Sequence, residues 1–257
     1  DVPGWKLVWH DEFDGPDGSD VDPTKWAHVE SGDGNGNQER EYYTSGKANA
    51  FQQGGALHIV ADALPPGGGG YSCWYGPCQY TSGKIVSKAW GQPALFEKRY
   101  GRFSVRMKIP AGQGVWPAFW LLGANIEQVN WPACGEIDVM ENIGAMPAID
   151  YGTLHGPGGN GEASLGGQAS VAMGALADDY HTYSIEWKAG EVKFLLDDAV
   201  YFTGTTAAFP GQWVFDDQPF YLLLNLAIGG SWPGDPDAST VFPSELLVDW
   251  VRVYDPT

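Results

Sequence analysis

Basic side chains are scarce in this chain: 14 lysines and arginines stand against 32 acids in 257 residues, a formal net charge of -18. That imbalance excludes a nucleic acid or an anionic membrane as partner, because phosphate surfaces are bound through basic patches. A neutral polymer meets no such repulsion. Long apolar runs are also missing, and none approaches the roughly 20 residues that span a bilayer. At Asp1 there is no charged segment leading into an apolar one, so any signal peptide is expected to be already removed or never present. Cysteine is rare, and three residues do not settle the redox compartment. Cys73 and Cys78 can close a small loop through a turn at Gly76-Pro77, or stay free. Cys134 is then the odd thiol, with little claim to nucleophilic chemistry, since a packed thiol is usually inert. Sustained heptads, internal repeats and linkers are absent, so residues 1–257 are expected to form one domain.

What the chain does have is tryptophan, 12 residues of it, with abundant glycine and proline. Short alternating stretches read as strands, among them Trp5 to Trp9, Leu57 to Ala61 and Tyr100 to Ile109. In the last of these, Phe103, Val105, Met107 and Ile109 share the side expected in a core. Arg102 and Arg106 lie on the other side, solvated or free to meet hydroxyl groups. His181 to Trp187 and Val192 to Asp197 read as a strand pair. The glycine-rich stretch from Gly156 to Gly174 reads as a loop over one end of a cleft.

One stretch stands apart: Gly135-Glu136-Ile137-Asp138-Val139-Met140-Glu141-Asn142 sets three carboxylates among apolar residues. On a helix these acids would scatter around the axis. On a strand, Glu136 and Asp138 share one face and Ile137 and Val139 the other. Glu141 has the wrong parity, which a β-bulge at Val139-Met140 would correct by inserting one extra residue. Three acids on one face suit a retaining glycosidase, which needs a carboxylate nucleophile and a carboxylic acid proton donor. An acid between them would share a proton and split their pKa values. The same triplet is open to two plainer readings, a calcium site or the wet face of an edge strand.

Together with this triplet, several ordered segments carry a resemblance: Trp9-His10-Asp11-Glu12-Phe13, Gly36 to Thr44, Tyr80-Thr81-Ser82-Gly83, Gly114 to Trp120, Asn225 to Gly230 and Asp249 to Tyr254. The chain resembles glycoside hydrolase family 16 over nearly its whole length, in the laminarinase-like form whose signature carries one inserted residue. The resemblance implies an all-β fold, a β-sandwich of jelly-roll type whose two curved antiparallel sheets leave a concave substrate cleft. It also implies an endo-acting retaining hydrolase of β-1,3-glucan. In it Glu136 would be the nucleophile, Glu141 the acid/base and Asp138 the group that tunes the pair, with His155 beside the acid/base.

Substrate contacts are expected from Asn37 on a rim loop, from Arg102, and from Trp116, Trp120, Trp131 and Trp232, whose indole faces suit pyranose rings. Trp116 and Trp120 also share strand parity. Asn225, inside the apolar run Tyr221 to Ile228, needs polar partners that a cleft floor supplies. No cofactor is expected in the chemistry. By resemblance a structural calcium would use Glu12, the Gly55 backbone and Asp249, although two acids can equally be ordinary surface groups. The expected partner is a β-glucan, and the expected state is a secreted monomer. A mixed-linkage β-1,3-1,4-glucanase and a non-catalytic glucan-binding protein are the alternatives. Enzymes of sulfated agars and carrageenans share the triplet, but their substrates fit poorly with so acidic a chain.

Overall fold

The computed structural model describes residues 2–257. Strands are the main regular structure and nearly all fall into two large sheets. One has seven strands in the order Gly161–Ser170, Ile149–Gly158, Glu136–Glu141, Val115–Gly123, Phe220–Ile228, Lys84–Val86, Ala27–His28. The other has ten, with Gly101–Lys108 and Ser244–Pro256 paired at its middle. Pairing is antiparallel except where Glu41–Tyr43 runs beside Tyr80–Ser82.

Period-two alternation explains why the sheets stack. Phe103, Val105 and Met107 from the ten-stranded sheet meet Phe119, Leu121, Ile137, Leu154, Leu222, Leu224 and Leu226 from the seven-stranded one, all fully buried in a single core. The strand Phe220–Ile228 is buried on both faces. Its even-numbered residues fill this core, while Tyr221 and Leu223 join Val86, Leu122 and Cys134 in a smaller cluster under the opposite face. That opposite face of the seven-stranded sheet carries the site.

Two expectations need correction. Residues 156–174 are not a cleft loop; Ile149–Gly158 and Gly161–Ser170 pair residue for residue as a long hairpin. At Gly167 space is short: a Cβ there would lie 2.5 Å from the Phe202 side chain. Arg102 is not near the cleft. It sits on the far sheet, almost wholly buried, where its guanidinium donates to Glu186 (3.1 Å), Ser184 (3.3 Å), Ser104 (3.2 Å) and Asp198. Four of its five N–H donors serve the protein on the sheet away from the cleft, so it does not meet the sugar there.

The expected calcium ligands are paired within the protein. Both Glu12 oxygens accept from Arg252, at 2.9 and 2.7 Å, and that guanidinium holds the carboxyl below its ordinary range. Asp249 accepts from Arg106 at 2.5 Å, while Gly55 lies in the tight turn between Ala50–Gln53 and Ala56–Ala63 with φ +75°. Each carboxylate faces a guanidinium here, and the calcium reading on Glu12, Gly55 and Asp249 stays an expectation.

Candidate active site

The acidic strand Glu136–Glu141 lies between Val115–Gly123 and Ile149–Gly158. Its pairing slips on both sides: Phe119 opposes Met140 and Trp120 opposes Asp138, while on the other neighbour Asp138 opposes Thr153 and Glu141 opposes Tyr151. Val139 and Met140 thus form the bulge that parity requires, and both are fully buried in the core. Glu136, Asp138 and Glu141 in consequence share the cleft face and line one hollow with Trp116, Trp120 and Asn225.

Each outer acid is held by an indole. Trp116 donates its Nε1–H to Glu141 Oε1 at 3.0 Å, and Trp131 donates to Glu136 Oε2 at 2.9 Å. Asp138 lies deeper, 3% exposed. His155 stands across the ladder from Glu136 and brings Nε2 to 2.9 Å from Asp138 Oδ2, while its Nδ1 lies 2.5 Å from Glu162. The expectation of His155 beside the acid/base therefore shifts: its direct contacts are Asp138 and Glu162.

Burial raises all three acids. It takes Asp138 up to about 7, opposed by a hydrogen bond from Glu136. Glu136 is held well above the ordinary carboxylate range by burial and then by the Asp138 charge. Glu141 is also held high, by burial and then by Asp138 and Glu136. Neighbouring buried acids do not readily both ionise, so this pair is able to hold one proton between them.

The walls are aromatic. Trp232, 42% exposed, meets Trp116 edge-on at 5.3 Å and Tyr151 at 5.1 Å. Trp131 is 46% exposed above Glu136. Trp116, Trp131 and Trp232 line a hollow of about 370 Å³ on the His155 side. On the other side a hollow of about 450 Å³ continues past Lys84 and Leu122 to Trp90. Asn37 stands exposed on the rim, its carbonyl accepting from Ser231 at 3.0 Å.

Asn225 forms part of the floor as expected, and its partners reveal a polar layer that sequence reading missed. It accepts from Trp120 Nε1 at 2.7 Å and donates to Tyr43 Oη at 3.0 Å, which donates on to Glu39 at 3.1 Å. Beside it lies Lys84, buried over the rings of Tyr43 and Trp120 and donating to Asn35 at 3.2 Å. Burial lowers the Lys84 pKa, while Glu39 and Glu41 pull it back up. A lone lysine in the strand Gly83-Lys84-Ile85-Val86 was the available signal, for buried lysines need anions.

Cys73 and Cys78 are joined in a disulfide that closes the small hairpin carrying Trp74 and Tyr75. Trp74 donates to the Glu39 carbonyl at 2.7 Å and Tyr75 to that of Arg40 at 2.6 Å, so the hairpin supports the rim loop. Cys134 is fully buried, and desolvation pushes its thiol up to about 12.

Known proteins are similar to this chain in sequence and fold. Glycosyl hydrolases family 16 matches residues 36–252. A β-glucanase of Rhodothermus marinus is 36% identical over 98% of this chain and 86% of its own length. The catalytic domain of an endo-1,3-β-glucanase (laminarinase) from Thermotoga petrophila superposes with a TM-score of 0.86 at 39% identity, covering 100% of both chains. An endo-β-1,3-glucanase from Pyrococcus furiosus does so with a TM-score of 0.85 at 37% identity, over 98% of this chain and 95% of its own. The matched segment contains the whole bulged acidic strand and both of its indole partners, and the chain belongs to glycosyl hydrolase family 16.

Proposed function

We propose that this protein is a retaining endo-hydrolase of β-1,3-linked glucan and that residues 1–257 act as one catalytic unit. The observation that carries the reading is the bulged strand, which turns Glu136 and Glu141 to one face of an aromatic cleft with a proton-sharing acid between them. The laminarinases to which the chain is similar support the substrate class.

Glu136 attacks the anomeric carbon and forms a glycosyl ester, while Glu141 delivers a proton to the departing oxygen. Water then enters; Glu141 takes its proton, and the ester to Glu136 breaks. Asp138 keeps the proton it shares with Glu136 when Glu136 is charged, so the nucleophile works as an anion despite burial. The Trp131 N–H stabilises that anion, and Trp116 orients Glu141. Because Trp116 and Trp120 spend their N–H groups on Glu141 and Asn225, they offer sugar rings their faces. Trp131 and Trp232 flank the reacting centre, and Asn37 meets hydroxyl groups at the rim. No cofactor enters these steps. The disulfide supports secretion into an oxidising compartment, and the strong net charge supports a monomer through mutual repulsion.

The test is product analysis on laminarin, lichenan and an unbranched β-1,4-glucan, comparing the intact protein with Glu136→Gln and Glu141→Gln. Oligosaccharides from laminarin, with turnover falling about 10³-fold or more in both variants, are the expected result. Cleavage of lichenan as well would mark a mixed-linkage enzyme. Laminarin binding without cleavage, or normal turnover in either variant, would overturn the assignment.

A further inference from the structure

A carboxyl group that the mechanism does not use lies directly behind Glu141. Asp150 is the second residue of Ile149–Gly158, next to the Tyr151 that opposes Glu141 across the ladder. Tyr151 points into the cleft and touches Trp232, so Asp150, of opposite parity, points between the sheets. It is completely buried, and neither carboxyl oxygen makes a well-formed hydrogen bond. The hydroxyls of Tyr183 and Tyr201, arriving from the opposite sheet, are equally buried and equally unpartnered.

These groups are neighbours. The Tyr201 hydroxyl faces the Asp150 carboxyl, and the Glu141 N–H is turned toward it, without either closing a full bond. Space for Tyr201 is kept open by Gly152, where a Cβ would lie 2.4 Å from the phenolic oxygen. The other charged groups facing this point are Glu141 on the cleft side and Asp197 in the turn after Glu191–Leu196. Asp197 is already met by His181 at 2.6 Å and by the Thr182 N–H at 2.9 Å, so no cation is left over for Asp150.

A charge buried without a cation is unfavourable, whereas a neutral acid and two phenols can bond to one another. Burial accordingly holds Asp150 well above the ordinary carboxylate range, with Glu141 adding to the rise against the pull of Tyr201. We propose that Asp150 is a positioning residue for Glu141: a neutral acid that, with Tyr201 and Tyr183, braces the bulged backbone from the core side. In doing so it keeps a further negative charge away from the carboxyl that moves the proton. The inference rests on Glu141 being the acid/base.

The test compares kcat, KM and the pH profile of kcat/KM on laminarin for Asp150→Leu, Asp150→Asn and Tyr201→Phe, with Glu141→Gln alongside. Asp150→Leu should lower kcat about tenfold, leave KM within twofold and move the alkaline limb of the profile. Asp150→Asn, a neutral polar replacement, should recover most of kcat and restore the limb. Tyr201→Phe should shift kcat and the limb in the direction of Asp150→Leu by a smaller factor, which keeps the proposal testable should Asp150→Leu fail to fold. Normal kcat and an unmoved limb in Asp150→Leu, or in Tyr201→Phe, would overturn it, even with a lowered Tm, because a merely structural role changes only stability. A profile displaced in Asp150→Asn would show that Asp150 is charged and would also overturn it. Activity surviving in Glu141→Gln would instead overturn the acid/base reading on which the proposal stands.

Discussion

Asp138 shows how one buried side chain links chemistry to stability. Its folded pKa of about 7 lies above the ordinary aspartate value of 3.8. Between these values the unfolded chain releases a proton that the folded protein keeps, so raising the pH through this window favours unfolding. The contribution is intact below the unfolded pKa and is lost as pH rises through the folded one. Replacing Asp138 with Asn removes this dependence. The expected outcome is a Tm several degrees higher than that of the intact protein at pH 8, no gain at pH 3.5, and kcat lower by a factor on the order of 10²–10⁴. Thermal melts at the two pH values, with laminarin turnover, check it. An equal Tm change at both values would mean that burial of the Asp138 charge is not what the folded state resists.

Parity governs the element that carries the acids. Glu141 reaches the cleft only because Val139 and Met140 together oppose one position of the neighbouring strands. Deleting Met140 leaves Glu-Ile-Asp-Val-Glu, in which regular alternation still puts all three acids on one face. Inserting Ala after Met140 adds a second extra residue and turns Glu141 toward the core. Deletion is therefore expected to leave measurable activity, reduced about 10- to 100-fold by the lost core side chain and shifted carboxyl, and insertion to abolish turnover at the detection limit. Equal loss in both, with both folded by circular dichroism, would mean that the face occupied by Glu141 is not what the bulge secures.

The same logic explains what could be read from the sequence at this scale. Glu136, Asp138 and the bulge were legible because misplaced parity among apolar neighbours has one simple repair. Trp116, Trp120 and Asn225 were legible for a related reason, each being a polar or amphipathic group at a fixed strand position. The strand Gly161–Ser170 was not, since Gly167 answers to Phe202 across the sheets and Gly166 to the backbone of Gly152, contacts that local pattern does not encode. Arg102 misled because alternation tells which residues share a side but not which sheet that side belongs to. The Glu12 and Asp249 pairing with Arg252 and Arg106 was equally hidden, because it joins segments far apart in the chain.

Over the whole molecule, the deficit of basic groups selects substrates by charge. With a net charge of -18, repulsion from an anionic polysaccharide is long-ranged at low salt and screened within about 8–10 Å at 0.1–0.15 M. Cleavage of neutral laminarin should accordingly change less than twofold in kcat/KM between 20 and 500 mM NaCl, whereas any cleavage of a sulfated glucan should rise with salt. A steep fall on laminarin with added salt would contradict this reading, since it would require attraction that the charge balance does not provide.

The position of Cys134 has a practical consequence. Its sulfur is sealed in the small apolar cluster on the cleft side of the sheet, two residues from Glu136, and its carbonyl accepts from Gln218 at 2.5 Å. A small disulfide reagent can reach it only when that part of the sheet opens, because the other two cysteines are already spent on each other. Labelling kinetics at this single atom therefore serve as a clock for local opening at the reacting centre. A saturating glucan oligosaccharide in Glu136→Gln should slow that clock in proportion to how firmly it holds the sheet shut, so occupancy is read without any catalysis.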